Sequence, residues 1–195
     1  EPKKRKPKRP RYRSPTQRVL RALLRLVALG YAAVLLTLVM METRLVYPGA
    51  YFADSAAREN PSDPSIETVE YESTDGLTLR GRLIEQPQSE HVLLFLHGNG
   101  TKAKWLDRWL HELANSFNAT TLAAEYRGYE DDMTPDEKGV LADCFAARDY
   151  LCQRYEKSPG DIILYGQSLG GGCAVALASQ GGAKTLVLER TFDRL

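Results

Sequence analysis

Asp161-Ile162-Ile163-Leu164-Tyr165-Gly166-Gln167-Ser168-Leu169-Gly170-Gly171-Gly172-Cys173-Ala174-Val175-Ala176-Leu177-Ala178 is the stretch that decides the fold. An apolar run of strand length leads into G-x-S-x-G, and a small-residue helical pattern leads out of it. In that strand–turn–helix context the serine sits on a very sharp turn, with its hydroxyl projecting above a sheet. Such a turn is strained, and only glycine neighbours leave room for it. The next helix begins at the serine, so its free N–H groups can receive a negatively charged oxygen. Ser168 is therefore the candidate nucleophile, with Gly166 and Gly170 as the supporting glycines. The competing reading is a glycine-rich strand-to-helix turn carrying an ordinary serine.

Outward from the elbow, the chain from Ile66 alternates short apolar strands with helical patterns, as an α/β domain with a mostly parallel sheet does. Thr68-Val69-Glu70-Tyr71 and Leu77 to Ile84 flank Thr74-Asp75-Gly76, a hairpin whose Asp-Gly supplies positive φ. His91 to Leu96 reads as a strand buried on both faces. Trp105, Leu106, Trp109, Leu110 and Leu113 recur at helical spacing, with the tryptophans as core. Thr120 to Tyr126 is a further strand. Thr134-Pro135-Asp136-Glu137 predicts a helix start with Thr134 as cap and Pro135 at the first position. Lys184 to Glu189 is expected as about the sixth strand.

The first 65 residues are different. Lys3 to Arg11 is a basic, proline-broken run with no core-forming residues, and residues 1–18 are expected to be a disordered tail. Val19 to Met41 is an apolar stretch interrupted only by Arg21 and Arg25, about 34 Å long as a helix and suited to one membrane crossing with the arginines reaching the headgroups. No small-residue cleavage site follows it, as a signal peptide would need. A basic cluster beside an apolar helix places the N-terminus in the cytoplasm and the folded domain on the other side. The basic run could also serve nucleic acid or anionic lipid, but the topology reading explains it without a nucleic-acid partner. Residues 42–65, with Pro48, Pro61 and Pro64, read as a tether in which Tyr47, Tyr51 and Phe52 rest at the membrane interface.

The net charge of +1 over 195 residues hides this asymmetry and says nothing about partners. Cys144, Cys152 and Cys173 match no zinc spacing and read as small buried thiols. Cys144 and Cys152 would lie two helical turns apart, too far for a disulfide.

Taken in order, Thr74 to Gly81, Leu96-His97-Gly98-Asn99-Gly100, Tyr126-Arg127-Gly128-Tyr129, Gly166 to Gly171 and Glu189-Arg190-Thr191-Phe192 resemble the α/β-hydrolase superfamily. The closest resemblance is to its membrane-anchored, serine-aminopeptidase-like branch with esterase and thioesterase relatives. It covers residues 66–195, and is specific for the fold more than for substrate. The resemblance implies Ser168 as nucleophile, with the backbone N–H groups of Leu169 and Asn99 as oxyanion donors. It makes His97 and Gly98 part of a supporting loop, His97 being structural rather than the general base. Neither metal nor organic cofactor is implied, and the substrate would be a small-molecule, lipid or peptide acyl compound. Glu130-Asp131-Asp132 departs from the glycine common in relatives.

The resemblance also implies a triad in the order Ser, Asp or Glu, His, yet no histidine follows Ser168. Asp193 reads as a loop or cap residue. Two more strands, on the order of 70 to 100 residues, would complete a domain of this class. The expectation is thus an α/β-hydrolase fold truncated after about the sixth strand: a piece of a longer membrane-anchored serine hydrolase, itself inactive. The alternative is a non-catalytic α/β-hydrolase-like binding module.

Overall fold

A computed structural model describes residues 15–52 and 63–191. The described residues fall into two units, one ending at Glu42 and the other beginning at Thr43. The basic run Lys3 to Arg11, residues 53–62 of the expected tether, and Asp193 lie outside the described residues.

Helix α1, Pro15–Val46, is long and apolar enough to cross a membrane. It exceeds the expected span at both ends. Residues 15–18, expected in a disordered tail, form its first turn behind Pro15, whose missing N–H costs nothing at a helix start. Its C-terminal end consumes Glu42 to Val46, expected in the tether. None of its residues is buried, and Val27, Leu29, Val39 and Met40 are among the most exposed apolar side chains.

The second unit is built on six strands in the order β1-β2-β4-β3-β5-β6. β1 (Ile66–Glu72) and β2 (Thr78–Ile84) form the expected hairpin, with Gly76 at φ +82°. β2 runs antiparallel to β4 (Thr120–Ala123). β3 (Val92–Leu96) pairs in parallel with β4 and with β5 (Ile162–Gln167), which in turn pairs in parallel with β6 (Thr185–Glu189).

All five residues of β3 are buried, because the sheet is covered on both faces. Leu94, Leu96, Leu122 and Leu164 pack on one side with Val140, Cys144 and Leu151 of α3 (Glu137–Arg154) and Cys173, Ala174 and Leu177 of α4 (Leu169–Ser179). Leu93, Phe95, Ile163 and Tyr165 point the other way, onto Leu110 and Leu113 of α2 (Asp107–Phe117). The period-2 alternation along β3 and β5 is what sorts them.

Local differences from expectation have plain causes. α3 starts two residues late: Asp136, not Thr134, is its N-cap, its carboxylate accepting the Gly139 N–H at 2.7 Å. β4 stops at Ala123, where Glu125 turns inward to a polar network. Trp105 belongs to a short 3-10 turn, and both Trp105 and Trp109 are only half-buried. The tether reading gives way over Tyr47–Tyr51. Tyr47 is buried in the core and burial pushes its phenol up to about 12, while Pro48–Tyr51 forms a 3-10 turn.

Candidate active site

Ser168 sits at the junction of β5 and α4 with φ 52° and ψ −115°. A non-glycine residue there costs on the order of 1–3 kcal/mol and persists only when its surroundings over-determine it. They do. Its N–H donates to the Glu189 carbonyl at 2.9 Å, and its carbonyl accepts the Gly171 N–H at 2.9 Å and the Thr191 hydroxyl at 2.9 Å. The flanking glycines are sterically required. A Cβ on Gly170 would lie 2.0 Å from the Leu96 carbonyl oxygen, and one on Gly166 would lie 2.4 Å from the Gly170 oxygen. The elbow is therefore seated directly on the end of β3.

That end carries the turn His97-Gly98-Asn99-Gly100. Gly98 faces the elbow so closely that a Cβ there would stand 3.4 Å from Ser168 Cβ. Leu169, the first residue of α4, presents its N–H at the helix N-terminus, where the helix dipole favours negative charge. The structure thus sets Ser168 and Leu169 at the start of α4 against Gly98, the residue before Asn99 in the turn. A helix N-terminus beside a serine oxygen can receive the negative charge that develops on an acyl oxygen.

His97 faces away from Ser168 into a sealed network. Its Nδ1 lies 2.8 Å from the Gly98 carbonyl oxygen and its Nε2 3.0 Å from Glu125 Oε1, with both side chains buried. Glu125 also accepts the N–H groups of Ala103 and Tyr126, and the Tyr126 hydroxyl donates to the His97 carbonyl at 2.9 Å. These bonds fix the turn and leave neither ring nitrogen for proton transfer.

The other histidines are distant in role. His91 Nδ1 meets Lys184 Nζ at 2.9 Å. His111 joins Asp63 and Ser65, the one grouping of His, Asp and Ser in the described residues' hydrogen bonds. Both partners there compete for the same nitrogen, Nε2, so no relay runs through that ring. Among the described residues the Ser168 hydroxyl has no hydrogen-bond partner.

The Tyr126-Arg127-Gly128-Tyr129 loop is held from below. The Arg127 guanidinium grips Asp143 through Nε at 3.0 Å and Nη2 at 2.7 Å, and reaches Asp75 at 2.8 Å. This fork keeps Arg127 far above its ordinary range, and Arg127 in turn lowers the Asp75 carboxyl. Asp131 ties the loop together, its carboxylate accepting the N–H groups of Gly128 and Met133. A polar cavity of about 550 Å³ lies against this loop and is lined by Arg80, Arg82, Lys104 and Glu130, not by Ser168. Arg82 is committed to a buried bidentate pair with Asp107 there.

Three participants escaped the sequence reading, two of them in the segment 189–191. Glu189 holds Gln167 Nε2 at 3.0 Å and Tyr165 OH at 2.9 Å, besides the Ser168 N–H, and Thr191 closes the elbow from the same segment. Both lie in a motif whose pattern was visible but whose contacts are long-range. Glu125 had a signal: it is the one charged residue in the strand-like run Thr120 to Tyr126.

Residues 91–191 match the family described as alpha/beta hydrolase fold. Protein bem46 of Schizosaccharomyces pombe is 32% identical over 181 residues, 87% of this chain and 58% of that protein. An alpha-beta hydrolase crystal structure from Vibrio vulnificus aligns with TM-score 0.64 at 25% identity, covering 79% of this chain and 58% of the other. EstE1, a thermostable carboxylesterase cloned from a metagenomic library, aligns with TM-score 0.57 at 16% identity over 80% of this chain and 56% of its own, a likeness of fold alone. The chain thus spans less than two thirds of the length of these relatives.

Proposed function

The chain belongs to the α/β-hydrolase family, and we propose that it forms the nucleophile half of a membrane-anchored serine hydrolase that cleaves an ester, thioester or amide through an acyl-serine intermediate. The observation that carries this is the strained backbone of Ser168, bonded at both its N–H and its carbonyl and set against the Gly98–Asn99 turn. Strain held so firmly at an ordinary serine would serve no purpose.

In the proposed reaction Ser168 Oγ attacks the acyl carbon, and the carbonyl π pair moves onto oxygen between the N–H groups of Leu169 and Asn99. Collapse of that intermediate breaks the bond to the leaving alcohol, thiol or amine, which receives the proton Ser168 gave up. Water then attacks the acyl carbon, giving a proton to the same base, and the second collapse breaks the bond to Ser168 Oγ, which receives that proton as the acid leaves. The general base is a histidine outside these 195 residues, with its acid partner, since all three histidines here are engaged elsewhere. No metal or organic cofactor enters these steps. Helix α1 serves as the membrane anchor, and the basic residues before it hold the N-terminus in the cytoplasm, with the catalytic unit opposite.

A second reading, a hydrolase-like module that binds without turnover, is favoured by one observation: among the described residues the Ser168 hydroxyl has no hydrogen-bond partner. Acyl-ester and thioester hydrolysis by the full-length protein separates the two. Turnover that disappears in Ser168→Ala supports the enzyme, and turnover unaffected by that change removes Ser168 from it.

A further inference from the structure

The last residue of α1 and the segment just after it are bonded to the turn that faces Ser168. The Gly49 N–H donates to the Asn99 carbonyl at 2.8 Å, and Asn99 Nδ2 donates back to the Val46 carbonyl at 2.9 Å. The Tyr129 hydroxyl reaches the same Asn99 oxygen at 3.2 Å. Nothing larger than glycine fits at position 49. A Cβ there would lie 2.6 Å from the Asn99 oxygen and 2.6 Å from Tyr129 Cε1. Next to it Tyr47 is buried in the main core cluster, so the segment is fastened rather than resting on the surface.

Asn99 is thereby held at its side chain and at its carbonyl, and the one polar backbone group left on it is its N–H. We infer that Val46–Gly49 is a positioning element for the oxyanion turn, with Gly49 the positioning residue that acts through Asn99. The inference rests on the serine-hydrolase reading above. Its content is that the stretch following the membrane-length helix belongs to the catalytic frame, where the sequence suggested a passive tether. An oxyanion donor works by being fixed before the charge develops. Two bonds from a separate chain segment, closing on one residue, supply that fixation.

The test uses the full-length protein, a substrate ester, and the matching thionoester, whose sulfur accepts hydrogen bonds weakly in the tetrahedral intermediate. Gly49→Ala is expected to lower kcat on the oxygen ester about tenfold, a fraction of the loss of a whole oxyanion donor, with KM little changed. The preference for the oxygen ester over the thionoester should shrink by the same factor. Asn99→Ala, which removes the Val46 bond and keeps the backbone N–H, is expected to move both quantities the same way by a smaller factor, and decides the matter if Gly49→Ala does not fold. Parallel losses on both esters, or no loss, would overturn the inference while leaving the hydrolase reading intact. A wild type without Ser168-dependent turnover would overturn that reading, and the inference with it.

Discussion

The Thr191 hydroxyl donates to the carbonyl oxygen of Ser168 across 2.9 Å, from a segment that leaves the neighbouring strand β6. Together with the Glu189 carbonyl, which takes the Ser168 N–H, it occupies both backbone polar groups of the candidate nucleophile. Arg190 between them adopts φ 49°, so the chain bends to make both contacts. A residue at φ 52° and ψ −115° needs such outside help, because helix α4 alone cannot dictate a non-helical conformation at its own N-cap.

Thr191→Val keeps the shape of the side chain and removes only the hydroxyl. The lost bond is worth about 1 kcal/mol, so phosphonylation of Ser168 in the full-length protein should slow by about fivefold. Thr191→Ser restores the donor and should restore the rate. Equal rates in all three would show that the contact does not position the serine.

Gly170→Ala places a methyl 2.0 Å from one backbone oxygen and 2.8 Å from another, those of Leu96 and His97. Backbone cannot swing aside as a side chain can, and overpacking of this kind costs about 3 kcal/mol. Thermal melts should show a large drop in Tm. Gly100→Ala, with nothing within 4 Å of the added methyl, should melt like the wild type.

Asp143→Ala strands the Arg127 guanidinium, which is nearly buried and forked onto that carboxylate. Breaking one side of a buried pair costs about 3–5 kcal/mol, to be read from denaturant midpoints. Asp75, the other carboxylate on Arg127, is half-exposed at the hairpin turn. Asp75→Ala should cost about 1 kcal/mol or less.

Alkaline pH should loosen the segment that follows α1. Burial raises the Tyr47 phenol from 10.0 to about 12, so the folded state keeps a proton that the unfolded chain releases first. Its contribution is therefore complete below pH 10 and is lost as pH rises from 10 to 12. In hydrogen exchange, protection of the Gly49 amide should fall across that window, and Tyr47→Phe should shrink the fall. A profile identical in wild type and variant would assign the change to other groups.

The sheet, the hairpin and the elbow were legible because each rests on a local signal: alternation or continuous apolar runs, Asp-Gly, and G-x-S-x-G between a strand and a small-residue helix. The turn that carries His97 was legible through its motif, whereas Glu125, its partner 28 positions away, was not. The docking of Tyr47–Tyr51 was not legible. Prolines and aromatics after an apolar helix look the same whether they line a membrane surface or fill a core, and only the Asn99 turn, some 50 residues later, distinguishes the cases. The cap of α3 lies at Asp136, two residues past Thr134, where the carboxylate stands three residues before the Gly139 N–H that it accepts. Thr191 and Glu189 could not be assigned either, since their contacts with Ser168 exist only once β6 lies beside β5.

The most direct test of the central claim is to react the full-length protein with a fluorophosphonate and map the adduct by peptide mass spectrometry. The expected result is a single phosphonyl group on the peptide containing Ser168, absent in Ser168→Ala. An adduct on another residue, or none on an otherwise folded protein, would contradict Ser168 as the nucleophile.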